Sequence, residues 1–572
     1  MINMRIQQSR YRIICVLILL FTSCLKEKKT TNINNDVIEK VDYNSQKVVV
    51  KCVSDDENVF NFLVPLNPTY SFGKNHKDTK KEVNQDTMIM VLDSISQPLI
   101  METMSWGNDE HFYYTDILYV PGDTVFYEIK DHKIVFKGKN AAINNFLYEI
   151  NNYSNLEYGR NPYKGNIEDY KNRVDSINNE RNKLFENYID DYNVTSNSEI
   201  KIVKDYLKFT YLYNLICPRY EKVGGWEGAY YNSLDGLKTF IEQEYVNKET
   251  VFNSNKYLNN TIIEDFKEPN SLYIPRYKNT LNAFISHYFE TSNHPDYSRE
   301  KLIAEKEYIE TNLEGEIHDY AITRMLYDYN LHGFGHSIQN VDFMKNILDE
   351  YEVKVSKKDY REKIKEMKED LSSFDYKLSD RALDSKLINK FGDTLTLREI
   401  FGRSDKRTRV LNFWASWCGP CISEIQTTKS FKDKLIVEDN VEWIYLSIDE
   451  NKSKWLDMSK ELSEYLTVRN QYFLLNGTNS SLAKFLKITA IPRYVILNKN
   501  NQIVLRSAPH PSDSLNFKRI INEVKWFLDF QRKMSFNFKL SIITYYFSNK
   551  PVVACRHSVS IIEPIPSSRV WG

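Results

Sequence analysis

The sequence predicts a multidomain α+β protein with an N-terminal β-rich domain, a central helical domain and a C-terminal α/β domain. Three observations carry this. The chain is 572 residues long, more than one hydrophobic core organises. Its apolar pattern turns from β-type runs to helical spacing near residue 139. Near residue 376 it turns again, to strands interleaved with helices. The composition, 42% hydrophobic and 27% charged, is that of an ordinary globular chain. Lys+Arg (76) and Asp+Glu (77) nearly cancel, a balance without the basic footprint of a nucleic-acid binder, so no nucleic-acid partner is expected. The 39 Tyr against 18 Gly suit a helix-rich, loop-poor body and name no ligand.

Residues 1–23 read as a signal peptide. Arg5, Arg10 and Arg12 form a positive start, and Ile13 to Phe21 is an apolar run of h-region length. A membrane span needs about 20 apolar residues, and Lys26, Glu27, Lys28 and Lys29 follow too soon. The run ends Leu20-Phe21-Thr22-Ser23-Cys24, which resembles the lipobox of bacterial lipoproteins; Phe21 departs from the residue usual at its place. The resemblance implies lipidation of Cys24 and a mature chain anchored to a membrane by lipid. A plain cleaved signal and a retained anchor are the alternatives. All three place the chain outside the cytoplasm, in the cell envelope or periplasm, where disulfide chemistry persists.

Residues 24–44 form a polar linker. In 45–138, the β-rich domain, Lys47 to Val53 and Asn58 to Val64 read as strands, followed by further β-type runs around a Pro121-Gly122 turn. Residues 139–375 carry helical spacing, best seen in Ile167 to Tyr188, Glu300 to Leu313 and Tyr360 to Leu371, with no convincing repeat. In 376–532, Thr396-Leu397-Arg398-Glu399 is a capping-box signature. Arg409 to Trp414 and Val441 to Ile448 are apolar strands, with a helix predicted from Gly419 to Lys434 between them. Trp455 to Tyr465 is helical and Gln471 to Leu475 a short strand. Two strands then flank an Asn-Lys-Asn-Asn turn, and Leu515 to Gln531 is a last amphipathic helix. Residues 533–572 form a tail of no assigned role.

The chemistry sits at Trp417-Cys418-Gly419-Pro420-Cys421, between a buried strand and a helix. Two intervening residues let the thiols close a small disulfide ring. A thiol at a helix N-terminus meets free N–H groups and the positive end of the dipole, which favour thiolate. In thioredoxin the corresponding drop, from about 8.5 to about 7, amounts to roughly 2 kcal/mol. Cys418 would attack a partner disulfide, and Cys421 would displace the partner from the mixed disulfide. That reading needs the Cys418 sulfur to be reachable and to face the loop ending at Pro492.

The run Val410-Leu411-Asn412-Phe413-Trp414-Ala415-Ser416-Trp417-Cys418-Gly419-Pro420-Cys421 resembles the thioredoxin superfamily, and in particular its TlpA/ResA-like branch of bacterial envelopes. Thr489-Ala490-Ile491-Pro492, just before a strand, resembles the family's second hallmark. The likeness, over about 376–531, implies a thioredoxin-like α/β fold and a cis Pro492 facing the cysteines. It further implies that the backbone before Pro492 is free to pair with a substrate chain, and that Trp417, Ile491 and Pro492 contact substrate. It implies protein disulfide or dithiol substrates, a membrane-embedded thiol donor, and no cofactor beyond the redox-active Cys418–Cys421 disulfide. Three positions depart or stand out. Asn412 replaces a buried aspartate of thioredoxin, and an amide cannot take a proton. Glu424 matches a glutamate of the TlpA/ResA branch and is expected to accept a proton from Cys421 or tune its pKa. Gln426 stands where the family has a helix-kinking proline, which puts the helix geometry in question. The Gly-Pro dipeptide favours the reducing end of a scale on which thioredoxin and DsbA differ by about 150 mV, roughly 7 kcal/mol.

Structural zinc wants four ligands and no second Cys pair exists, so no metal is expected; His510 is a lone loop histidine. A peroxiredoxin-type site lacks this cysteine pair. His332-Gly333-Phe334-Gly335-His336 has metal-like spacing only on a helix, which its glycines oppose. Cys52 and Cys217 either bridge the first two domains or stay reduced, Cys555 falls in the tail, and Trp226, Tyr230 and Tyr231 are core aromatics or a sugar- or peptide-contacting cluster. The rival function is a lipid-anchored binding protein that uses the thioredoxin-like domain as a docking module.

Overall fold

A computed structural model describes most of residues 47–524; segments 67–78, 222–229, 233–237, 246–251 and 288–293, and a few shorter ones, lie outside the described residues. So do the expected signal peptide, Cys24, the linker, Trp226 and the 533–572 tail. The chain divides into two compact units, Met1–Phe517 and Lys518–Gly572.

The first unit begins with two sheets. β1 (Val48–Ser54), β3 (Thr79–Asn84), β4 (Thr87–Leu92), β7 (Thr124–Lys130) and β8 (Lys133–Lys137) form one in the order β3-β4-β1-β7-β8, with β1 and β7 parallel. β2 (Val64–Leu66), β5 (Leu99–Trp106) and β6 (Phe112–Tyr119) form the other. Alternation sets the inward faces: Val48, Val50 and Cys52 of β1 share a core with Met88, Met90 and Tyr127. The predicted strand Asn58 to Val64 is instead a short helical turn, Asn58–Asn61, followed by β2. The reason is local: the Asp56 carboxylate accepts from the Asn58 backbone N–H at 2.9 Å, which starts a turn in a run that composition alone reads as extended.

Eight main helices follow: α1 (Ala141–Asn152), α2 (Ile167–Asp191), α3 (Asn197–Ile216), α4 (Tyr277–His287), α5 (Arg299–Asn312), α6 (Gly315–Leu331), α7 (Val341–Lys354) and α8 (Lys358–Ser372). Side-chain caps start three of them: Asn166 accepts from the Asp169 N–H, Ser196 from Glu199 and Ser298 from Lys301. Their common core takes in Ile100 of β5 and Leu118 of β6, so the second sheet packs on the helices rather than standing apart.

The last part holds a seven-stranded mixed sheet. Its strands are β9 (Lys386–Asn389), β10 (Thr394–Thr396), β11 (Thr408–Trp414), β12 (Val441–Ser447), β13 (Gln471–Leu474), β14 (Arg493–Leu497) and β15 (Ile503–Leu505), ordered β10-β9-β13-β12-β11-β14-β15. β11 and β12 are parallel and buried along their whole length, as central strands covered on both faces are. Thr396 and Glu399 make the capping box of α9 (Leu397–Gly402). The helix predicted from Gly419 to Lys434 is two helices, α10 (Gly419–Thr427) and α11 (Lys429–Glu438). The break at Thr428 follows from its side chain, whose hydroxyl donates to the Glu424 carbonyl at 2.5 Å while its backbone leaves helical values. A kink arises here without the proline that Gln426 replaces.

Candidate active site

The site grows from the C-terminal end of β11. β11 pairs antiparallel with β14 from Arg409↔Leu497 to Phe413↔Arg493. One further step sets Pro492 opposite Trp414, so the chain entering the cysteine loop and the chain leaving the proline loop meet at one end of these neighbouring interior strands. The Ile491–Pro492 peptide is cis. The loop between β11 and α10 is fastened from below. Ser416 donates through its N–H to both oxygens of buried Asp449, at 3.1 and 2.9 Å, and through its hydroxyl at 2.6 Å. Ser447 holds the same carboxylate at 2.7 Å.

That loop delivers Cys418 to the N-cap of α10, with Pro420 in the first turn, where its missing N–H costs nothing. Cys418 and Cys421 are joined in a disulfide with Cα atoms 5.3 Å apart, and the Cys418 sulfur also accepts from the Cys421 backbone N–H at 3.3 Å. A thiolate released at Cys418 would meet the same N–H and the helix dipole. Residues 405–503 match the family model described as thioredoxin-like. This part of the chain is a thioredoxin-like domain. A curated relative, a tryparedoxin of Trypanosoma brucei brucei, is 27% identical over 121 residues, covering 21% of this chain and 78% of that protein. Among solved structures, the thiol-disulfide oxidoreductase from Bacteroides fragilis NCTC 9343 has 24% identity, covers 24% of this chain and 95% of its own, and has a TM-score of 0.20. An uncharacterized thioredoxin-like protein from Porphyromonas gingivalis has 19% identity, covers 25% and 88%, and has a TM-score of 0.21.

Within the thioredoxin-like domain, the expectation of an open attacking sulfur is not met in the oxidised state: Cys418 keeps 4% of its surface and Cys421 1%. Cys418 is bonded to buried Cys421, and what faces solvent nearby in sequence is Trp417, 51% exposed. Ile491 and Pro492 are half-buried, and Thr489 and Ala490 before them are exposed. Asn412 is buried, and neither polar atom of its amide has a hydrogen-bond partner among the described residues. No acid rises from the strand.

The acid comes from the helix. Glu424, one turn after Cys421 on α10, is buried and accepts four hydrogen bonds. They come from the Tyr494 hydroxyl at 3.0 Å, His510 Nδ1 at 2.7 Å, the Ser512 N–H at 3.2 Å and the Ser512 hydroxyl at 3.0 Å. Burial pushes its carboxyl up, but the hydrogen bond and charge of His510 and the two Ser512 bonds outweigh it and hold the group below the usual carboxylate range. Tyr494 is the register partner of Asn412, so it bridges the strand position that lost its acid to the helix position that has one. Lys432 of α11 completes the surroundings: its ammonium donates to the Ile425 carbonyl at 2.9 Å, and burial pushes it down to about 8.

Sequence reading missed Asp449, Tyr494, His510 and Ser512. Asp449 left one signal, an acid directly after the strand run Val441 to Ile448; His510 and Ser512 left none, because they lie 86 and 88 residues from Glu424. The segment carrying them is pinned by the helical part of the same unit. Gly333, after α6, has φ +85°, and a side chain there would strike the Ser507 carbonyl. Ser507 Oγ donates to the Leu331 carbonyl at 3.1 Å, Ser337 bridges to Leu505, and Arg506 pairs with Asp370 of α8. The histidine-glycine motif thus serves packing: His332 Nδ1 donates to the Asp328 carbonyl (2.8 Å), its Nε2 lies 3.2 Å from the Tyr297 hydroxyl, and its ring stacks on Tyr297.

Among the described residues the one disulfide is Cys418–Cys421. Cys52 and Cys217 are both buried, and burial pushes the Cys52 thiol up to about 12, which makes it inert as a nucleophile at neutral pH.

Proposed function

We propose that this chain is a thiol–disulfide oxidoreductase of the cell envelope. It is TlpA/ResA-like, lipid-anchored through Cys24, and reduces disulfides of exported proteins with electrons from a membrane-embedded thiol donor. The observation that carries it is the Cys418–Cys421 pair, closed as a disulfide with Cys418 at the N-cap of α10 and the cis Pro492 at the same end of the paired strands. Cys418 is the attacking thiol and Cys421 the resolving one. Trp417, Ile491 and Pro492 form the contact surface for the substrate chain, and Glu424 serves the proton chemistry of Cys421. The disulfide itself is the only redox group the reaction needs. The low-potential direction rests on the Gly-Pro dipeptide, and the envelope location on the signal-like N-terminus.

Insulin reduction by the full chain and by Cys418→Ala tests the reading. The substitution is expected to lower the rate by at least 100-fold; equal rates favour the rival, a lipid-anchored binding protein whose thioredoxin-like domain only docks. Globomycin treatment with mass analysis of the mature N-terminus reads out lipidation at Cys24.

A further inference from the structure

Arg493 opens β14 directly after the cis Pro492. Its register partner in β11 is Phe413, one residue before Trp414, where the strand ends and the chain enters the cysteine loop. Its neighbour Tyr494 donates to Glu424 of α10, so strand alternation puts Arg493 on the opposite face of the sheet, at the end where the proline loop opens. Exposed Thr489 and Ala490 lead the chain up to it. The residue is half-buried, yet its guanidinium makes no hydrogen bond or ion pair with any of the described residues. Burial, and then the like charge of Arg506, hold it below the ordinary guanidinium range, with no opposing carboxylate to offset them. Asp370 of α8 is spent on the neighbours: one oxygen pairs with Arg506 and the other with Lys487, just before the proline loop. A guanidinium keeps its charge at neutral pH. Arg493 is therefore a cation drawn partly out of water beside a second cation, which costs free energy until an anion arrives. Its planar fork of donors matches a carboxylate.

We propose that Arg493 is a specificity-determining residue that takes a carboxylate of the substrate chain, so that the preferred substrates are disulfides flanked by acidic groups. This rests on the thiol–disulfide reading above. A chain that contacts Trp417, Ile491 and Pro492 passes beside residue 493, and an Asp or Glu side chain, or a C-terminal carboxylate, pairs there with the guanidinium. Arg493 forms no bond to sulfur and moves no proton. It acts by holding the substrate where Cys418 attacks, and its charge speeds the encounter with an acidic chain. The helical part sets the anchor in place. Asp370 fixes Lys487 on one side of the proline loop and Arg506 at the end of β15, the strand beside β14, and so leaves Arg493 for the substrate.

The test uses the full chain, reduced beforehand, and short peptides whose single cysteine is joined to 2-thiopyridine, released on attack by Cys418 and read by absorbance. Three peptides have amidated C-termini and carry Glu, Gln or Lys at the second position on either side of the cysteine. A fourth carries Gln and ends in a free carboxylate. Each rate constant is divided by that of the same peptide with dithiothreitol, and peptides are compared as ratios within one protein, which a partly misfolded variant does not distort. The parent is expected to favour Glu over Gln by about 10-fold, the span of a charge-assisted hydrogen bond, with Lys slowest. Arg493→Gln should bring the ratio close to one, and Arg493→Glu should turn the preference toward Lys. A gain confined to the fourth peptide upholds the anchor and assigns it to a chain end. No acidic preference in the parent, or a preference that survives in Arg493→Gln, overturns the proposal. Release by the parent no faster than by Cys418→Ala removes the thiol–disulfide reading and the anchor with it, and is told apart because it leaves no rates to compare.

Discussion

Glu424 and Asp116 are both buried carboxylates, one in the thioredoxin-like domain and one where β6 meets the helices, and their protonation goes opposite ways. Asp116 accepts from the Tyr206 hydroxyl at 2.6 Å and the Asn151 amide at 2.9 Å. Burial and the charge of Glu102 push it up to about 6, and Arg276, which could oppose this, is paired to Glu102 at 2.5 Å. Glu424 meets the same burial with a backbone N–H, two hydroxyls and an imidazole, and no second acid among its partners. Depth is common to the two; the partners decide the charge. A carboxylate among neutral donors and another acid is pushed toward its protonated form, whereas one with a cation-capable partner and aligned donors keeps its charge.

The largest effect that could break this contrast is truncation. Glu424→Ala strands four donors and is expected to cost about 3 kcal/mol at pH 7, read by thermal denaturation; a cost under about 1 kcal/mol removes the network from the account. Next come the amide variants, whose signs should be opposite. The folded-state pKa of Asp116 is raised, so the fold prefers it protonated, and stability falls as pH rises from about 4 through about 6. Asp116→Asn lifts that cost and is expected to gain roughly 1–3 kcal/mol at pH 8 and nothing at pH 4. The folded-state pKa of Glu424 is lowered, so its contribution is present above the ordinary carboxylate range and lost on acidification. Glu424→Gln is expected to lose about 1–2 kcal/mol at pH 7, with the loss shrinking below pH 4. Matching signs would end the comparison. The smallest change is Ser512→Ala, which keeps the backbone donor and drops one hydroxyl, for about 1 kcal/mol at pH 7 in the same melts.

The thioredoxin-like domain was the most legible part, because its signals are short-range. The capping box at Thr396 and Glu399, the apolar strand into Trp417-Cys418-Gly419-Pro420-Cys421 and the turn Asn498 to Asn501 each lie within a dozen residues. Where local chemistry competed with composition, reading failed: Asp56 turned a strand-like run into a helical turn, and Thr428 divided a helix. The depth of Cys418 was also missed, since burial is set by packing from parts of the chain that local spacing does not record.

What the sequence determined alone was the kind of chemistry: two thiols one turn apart at the start of a helix, in a chain with no charge bias toward nucleic acid. Only the tertiary structure decided which groups hold the cysteine loop and surround Glu424. Asp449, Tyr494, His510 and Ser512 come from other strands and loops, and the last two are held by a glycine turn over 170 residues upstream. Hydrogen bonds and burial act over a few ångströms of space whatever the separation along the chain, and spacing in sequence carries no trace of them.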